Sequence, residues 1–430
     1  MTNAETFNGP NGSKHPLRFG IFLPPMHPVG QNPTLSIHRD LELIQYLDAL
    51  GFDEAWIGEH HSSGYETIAS PEVFIAMAAA MTKRIKLGTG VSSLPYHHPL
   101  ILADRIVLLD HLTRGRAMFG VGPGQLASDA SMLGIDVGSQ RRMMEESFDV
   151  IMRLFAGEVV TAETDWFTLR EGRLQLKPYS KFDIAVAASI SPSGPKLAGR
   201  HGTGLISVAA TNPAGFANLA GHWKVMEEQA ADNGRTVDRA SWRMMGPMHL
   251  ADTCAEAIDN CRFGFERVMD YLSHVVPTGP SSTTNYDDRI KEMNDTGAGV
   301  IGTPDMAIAQ IERLIEQSGG FGCYLTFGGD LADHRQTLRS YELMAQYVIP
   351  HFTDSTCAAA GVTRLDHRRQ PQVRPFDRDG DRQVARRIRR RARRGATSVI
   401  ARLIVAARCR LRSPHSTSAD RVEFRLEMDA

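Results

Sequence analysis

The stretch from Asp53 to Gly124, DEAWIGEHHSSGYETIASPEVFIAMAAAMTKRIKLGTGVSSLPYHHPLILADRIVLLDHLTRGRAMFGVGPG, runs through the same local pattern more than twice. DEAWIG (53–58), IKLGTG (85–90) and RAMFGVG (116–122) are short apolar runs that read as buried strands. Between them, Pro71 opens a helix through Met81, with Ser70 as a plausible cap, and Pro99 opens another through Leu112. Strands separated by helices of this length point to a parallel sheet with helical crossovers.

The pattern continues on both sides. Upstream, RFGIFL (18–23) is a buried strand, and residues 35–50 carry apolar Leu41, Leu43, Ile44, Leu47 and Leu50 at helical spacing before a stop at Gly51. Downstream come a helix at 141–155 and strands FDIAVAAS (182–189), GTGLISV (202–208), a weaker WRMMGPMHL (242–250) and GFGCYLTF (320–327), then a helix at 334–348. Eight such units in about 330 residues favour a closed TIM (β/α)8 barrel with insertions. A doubly wound open sheet stays open as an alternative, since periodicity does not report closure. Two segments exceed the usual spacing. Residues 156–181 form one insertion, and 271–303, rich in Ser, Thr, Pro, Gly and Asp, read as loop or lid. Residues 304–315 read as a structural helix with Thr303 as cap and Pro304 in the first turn.

Composition narrows the class. The 430 residues are 42% hydrophobic and 23% charged, with five scattered cysteines at 254, 261, 323, 357 and 409 and no Cys-x-x-Cys pair. Unpaired thiols in a long chain fit a reducing cytoplasm rather than a disulfide scaffold. No apolar run approaches the roughly 20 residues of a membrane span. The polar start, residues 1–16, has no signal-peptide core and reads as a flexible arm, so the expected location is cytoplasmic. The formal net charge of −1 conceals two opposed parts: from Arg364 onward, 19 Arg face 8 acidic residues, +11, which leaves −12 for the rest. Residues 353–430 read as a linker and a basic, disordered tail. The absence of Lys among those 19 Arg argues against a phosphate-binding arm, so nucleic acid is not an expected partner.

Functional residues of a TIM barrel lie at the C-terminal ends of strands. After the second strand stand Glu59, His60 and His61. Consecutive residues of an extended chain face opposite ways, so at most one histidine meets the barrel mouth. A histidine there suits general acid or base work, because its pKa lies near neutrality; a structural histidine bonded to a neighbouring loop is the competing reading. After the third strand, Gly88, Gly90, Ser92 and Ser93 leave room for a flat ligand against the backbone, ahead of His97 and His98. After the fourth, FGVGPGQLASD (119–129) is glycine-rich but no dinucleotide fingerprint: Pro123 interrupts it and no helix is expected directly behind it. After the fifth, Ser189, Ser191, Ser193 and Gly194 lead into a helix start whose hydroxyls and free amides suit a phosphate, although a plain capped helix explains them as well. His60, His61, His97, His98, His201 and His249 follow no barrel-hydrolase pattern, and no metal is expected.

Taken jointly, these motifs resemble the luciferase-like monooxygenases, the family of bacterial luciferase. The EHH at 59–61, the LGTG, LP and HP elements between 87 and 99, and the LD, LT, GR and FG elements between 109 and 120 occur in the family's order and close spacing. The resemblance covers roughly residues 17–350, and in detail is similar to limonene-type monooxygenases. It implies a TIM barrel that uses reduced FMN and O2 to oxygenate a small apolar substrate of the terpene, alkane, aldehyde or ketone class. In one branch the cofactor is a deazaflavin (F420) and the reaction a hydride transfer; a flavin-binding barrel without turnover is a further alternative. It implies a two-component system with a separate NAD(P)H:flavin reductase, and a homo-oligomer. By the same resemblance, His60 is the acid/base near the flavin. Gly90 and Val91, where the family often has a cis peptide, lie beneath the flavin ring, and Gly122 lies beside it. Ser189, Ser193 and Gly194 match the phosphate region. Pro123 departs from the pattern, standing where bacterial luciferase has an arginine, so the phosphate is expected to rest on the 189–194 segment, joined by Arg200.

Overall fold

The computed structural model describes residues 16–275 and 283–353. The expected N-terminal arm and Arg-rich tail lie outside these residues. Eight parallel strands close on one another: β1 Arg18–Leu23, β2 Glu54–Ile57, β3 Lys86–Thr89, β4 Ala117–Gly122, β5 Asp183–Ala188, β6 Gly204–Ser207, β7 Trp242–Gly246 and β8 Cys323–Phe327. β1 lies between β2 and β8, and the sheet continues from β8 through β7, β6, β5 and β4, which returns to pair with β3. That last pairing, Leu87 with Ala117 and Gly88 with Met118, makes the sheet a barrel and excludes the doubly wound alternative. A two-residue strand, Ser92–Ser93, prolongs the contact beside Val121 and Gly122.

Each strand is apolar on both faces because one face meets the helical ring and the other meets its fellows inside the barrel. Inside, Trp56, Met118, Ala185, Ile206, Cys323 and Leu325 fill the space. Gly88 must be glycine here, since a Cβ would stand 2.8 Å from the Trp56 ring. Outside, residues such as Leu41, Ile44 and Leu47 of the helix Pro33–Leu50 pack on the strands. That helix starts where the Asn32 side chain accepts the Leu35 N–H at 3.2 Å and ends where Gly51 takes φ 93°.

The N-terminal end of the barrel holds a plug of charge. Glu54, fully buried, accepts from Arg243 Nε at 2.8 Å, Arg18 Nε at 2.9 Å and Trp56 Nε1 at 2.9 Å. Arg243, itself buried, also reaches Asp183 at 3.2 Å.

Three expectations are corrected. The run 242–250 is not one strand: Pro247, which has no N–H to donate, ends β7, and Met248–Leu250 leaves the barrel to pair with Val300–Gly302. Residues 271–303 are not mere loop, because the described part includes the end of a helix, Phe265–Val275, a second helix, Tyr286–Thr296, and that strand. A short helix, Ala127–Met132, does follow the glycine-rich turn after β4. The 156–181 insertion contains an antiparallel hairpin, Val160–Glu163 with Thr168–Gly172. Thr303 occupies the expected cap position but makes no side-chain cap bond.

Candidate active site

The C-terminal ends of the strands surround one cavity. Its wall is largely apolar, with Phe22 from β1, Val91 beyond β3, Ala187 of β5, Val208 beyond β6, Met245 of β7 and Phe327 of β8. Leu272, from the insertion after β7, closes one side. The floor is backbone. The Gly90–Val91 peptide is cis. A Cβ on Gly90 would lie 2.8 Å from Trp56 Cβ, and one on Gly122 2.5 Å from Val91 Cγ2. Neither position has room for a side chain, so the floor stays flush and a flat molecule can lie close to it.

The polar groups arrive on the loops after β2 and β4. Glu59, 3% exposed, accepts the Ser93 N–H at 2.9 Å and holds His61 Nε2 at 3.0 Å and His97 Nε2 at 2.7 Å. Burial opposes its charge, but those two imidazoles and the amide outweigh it and hold Glu59 below the usual carboxylate range. His60 turns the other way, into the cavity, as alternation along the chain requires. Its Nδ1 is 2.9 Å from Asp129 Oδ2, and its Nε2 is 3.2 Å from Glu66 Oε2. Burial opposes the imidazolium, but the Asp129 hydrogen bond and the Glu66 charge prevail, so His60 sits above the ordinary histidine value.

The two carboxylates differ. Asp129 also accepts the His61 N–H at 3.0 Å and the Ser62 hydroxyl at 2.5 Å, and these bonds overcome burial to hold it below the usual range. Glu66 is pushed up by burial, only partly relieved by His60 and by Tyr271, whose hydroxyl donates to Oε1 at 2.8 Å. A histidine between two acids is favoured in its charged form and stands where it can give a proton at the cavity.

Of the expected residues, His60, Gly90, Val91, Gly122 and Ser189 line this cavity together. Ser191, Ser193 and Gly194 do not line it. They form the turn and first residues of the helix Ser193–His201, with Ser191 and Ser193 hydroxyls 2.8 Å apart and Gly194 buried, where a Cβ would meet the Ala187 carbonyl at 2.7 Å. Ser189 connects that helix start to the cavity. Arg200 is corrected: it stands in the last turn of the helix, away from the N-terminal amides, paired with Glu145 at 3.3 Å. His201 pairs with Asp149 and His249 lies by Asn260, and among the described residues no three His, Cys, Asp or Glu side chains are grouped to hold a metal.

Asp129, Glu66 and Tyr271 were not anticipated. The two acids lie in stretches singled out for glycines and histidines, where a polar residue in a loop carries no mark of burial. Tyr271 belongs to a remote insertion, and its sequence neighbourhood contains no signal for it.

Comparison with known proteins agrees with this geometry. Residues 17–320 match the family model described as luciferase-like monooxygenase. The limonene 1,2-monooxygenase of Rhodococcus erythropolis is 56% identical over 334 residues, 78% of this chain and 86% of its own. The 4-hydroxyprotoasukamycin monooxygenase of Streptomyces nodosus subsp. asukaensis is 45% identical over 345 residues, 79% of this chain and 93% of its own. Among solved structures, the oxygenating constituent of 3,6-diketocamphane monooxygenase from Pseudomonas putida, a type II Baeyer-Villiger enzyme in complex with FMN, superposes with a TM-score of 0.65. It is 25% identical, with 78% of this chain and 98% of that one covered. An apolar cavity with a glycine floor at the mouth of a closed barrel, the EHH motif placed on its rim, and a family match over most of the chain make this protein a member of the luciferase-like monooxygenases.

Proposed function

We propose that the protein uses reduced FMN and O2 to oxygenate a small apolar substrate of the terpene, alkane, aldehyde or ketone class. The observation that carries this reading is the pairing of a largely apolar, backbone-floored cavity with a single imidazole, His60, held between Asp129 and Glu66 at its edge. The residues suit FMN. Gly90 and Gly122 offer a floor without side chains to a flat ring, with the Val91 side chain beside it, and Ser189, Ser191, Ser193 and Gly194 offer hydroxyls and free amides at a helix start to its phosphate. Reduced FMN, when bound, supplies the electrons that activate O2. The chain's part is to bind the ring and the substrate against apolar walls, to exclude water, and to place the His60 proton within the cavity.

The FMN-bound relative is an oxygenating constituent, which supports a separate NAD(P)H:flavin reductase as partner here. Free Cys254, Cys261 and Cys323 support a reducing cytoplasm. No helix among the described residues is long and apolar enough to cross a membrane. A homo-oligomer is supported by exposed Val73 and Met77 on one helix and Ile101, Leu108 and Leu112 on the helix packed beside it.

The test is anaerobic titration of the full chain with reduced FMN and, separately, with reduced F420, followed by 18O2 and a panel of terpenes, ketones and aldehydes. Binding of FMN with one 18O atom in a product is expected. Binding of F420 alone, with substrate reduced or oxidised in the absence of O2, would replace the reading with hydride transfer, and binding without any product would leave a non-catalytic barrel.

A further inference from the structure

A chain of proton-bearing groups leads from the cavity to the surface through Glu66. Glu66 Oε2 is shut off from solvent and accepts no aligned hydrogen bond, yet it lies 3.2 Å from His60 Nε2. The other oxygen, Oε1, accepts from Tyr271 Oη at 2.8 Å, and Tyr271 Oη is 3.3 Å from the hydroxyl of exposed Ser63. Ser63, Tyr65, Tyr271 and Asp270 line a second, outer cleft, which shares Gln125 and Leu126 with the inner cavity. Tyr271 is fixed in this place by its ring, stacked on Tyr65 with centroids 4.8 Å apart.

Once cofactor and substrate fill the cavity, His60 has no solvent there from which to recover a proton. We propose that Glu66 and Tyr271 are a proton-return path that reprotonates His60 from the outer cleft. The proposal rests on the reading of His60 as the proton donor at the cavity. Neutral His60 takes a proton at Nε2 from Glu66 Oε2. Glu66 then takes the Tyr271 hydroxyl proton at Oε1, and Tyr271 is refilled from Ser63 or from water in the cleft. A turn of the Glu66 carboxyl carries the new proton to the Oε2 side. One proton enters at the cleft for each one that leaves His60, and nothing is oxidised or reduced.

The neighbouring charges favour Glu66 for this part. Asp129, the other acid on His60, is pinned as the carboxylate by three donors and has little tendency to carry a proton. Glu66 faces His60 and Tyr271, with Asp129 beyond, and is held above the usual carboxylate range, chiefly by burial, so it takes up a proton more readily than Asp129 does. Glu59 is engaged with His61, His97 and the Ser93 amide, and acts on His60 through its charge alone. Glu66 and Tyr271 are positioning residues, acting through His60.

The test uses two variants of the full chain. Glu66→Gln keeps an acceptor for Tyr271 but does not relay a proton. Tyr271→Phe keeps the ring on Tyr65 and removes only the hydroxyl. In protein saturated with oxidised FMN, exchange of the His60 ring N–H with solvent is followed by NMR, with the signal assigned by its loss in His60→Asn. Both variants should slow that exchange about a hundredfold, the low end of what a positioned proton-transfer group contributes. A merely structural role would leave it unchanged or, by loosening the loop, speed it. Unchanged or faster exchange in either folded variant overturns the path. Turnover separates this from the underlying reading: if His60→Asn oxygenates as fast as the parent, His60 is not the donor, whatever the exchange rates show.

Discussion

Both ends of the barrel bury carboxylates, but with different partners. At the N-terminal floor, Glu54 is bound by Arg243 and Arg18, whose guanidinium groups stay charged at any ordinary pH. Burial alone would raise its pKa, but Arg243 first and Arg18 second hold it well below the carboxylate range. At the C-terminal mouth, Glu59, Glu66 and Asp129 are bound by the imidazoles of His60, His61 and His97, the side-chain type suited to acid–base work. The floor is filled by Trp56, Met118 and Cys323 around its ion pairs, whereas the mouth opens on a cavity. Buried charge by itself therefore does not mark a functional site. A titrating partner beside open space does.

The comparison can be broken at either end. The largest expected effect is at the mouth. His60→Ala should retain flavin binding and lose product formation by about 10²- to 10⁴-fold, the usual worth of a positioned acid or base. Single-turnover assays with FMN supplied in reduced form check it, and near-parental rates would remove His60 from the mechanism. Arg243→Ala should do the reverse. It leaves Glu54 charged and buried with its principal partner gone, a loss of about 3–5 kcal/mol in urea unfolding, while turnover of the folded fraction stays close to the parent. A large loss of turnover at unchanged stability would mean that the floor takes part in function.

The ends should also differ in pH response. His60 has a folded pKa above its unfolded value, so its stabilising charge is fully present below about pH 6.5 and is lost as pH rises through the folded value. Oxygenation should accordingly fall as pH rises through that folded value, above the ordinary histidine range. Glu54 has a depressed pKa, so its contribution is fully present above about pH 4.3 and is lost only as pH falls through the folded value. A pH–rate profile and a pH–stability profile on the same preparation check both signs, and a common alkaline midpoint that survives in His60→Ala would contradict them. The smallest effect should come from Gly122→Ala. The new Cβ would stand 2.5 Å from Val91 Cγ2, so the valine must turn and crowd the floor. A loss of about 1–3 kcal/mol in flavin affinity is expected by fluorescence titration. Unchanged affinity would place the ring elsewhere.

Much of this was legible in the chain. The eight barrel strands lie within or close to the runs marked by apolar character alone, and the connecting helices begin near their prolines, because these signals are local to a few residues. Where Pro247 divides an apolar run, the same local signal misled, since it does not distinguish a strand inside the barrel from one that leaves it. The glycines at 90 and 122 and the histidine at 60 stood at strand ends, where barrel geometry gives position meaning in advance. Arg200 shows the limit: helical residues six or seven apart from a phosphate-suited start fall at the far end of a short helix, and only the helix length reveals that.

The sequence by itself determined the strand–helix units and the rim positions, because apolar periodicity and turn residues act over distances shorter than one strand–helix unit. Only the tertiary structure decided which charges meet. Glu54 and Arg243 are 189 residues apart, Glu66 and Tyr271 are 205 apart, and His60 and Asp129 are 69 apart. Those meetings depend on the sheet closing and on the insertion after β7 folding back over the mouth. A side chain's charge, and the proton it holds, is set by neighbours that closure supplies and that adjacent residues do not encode.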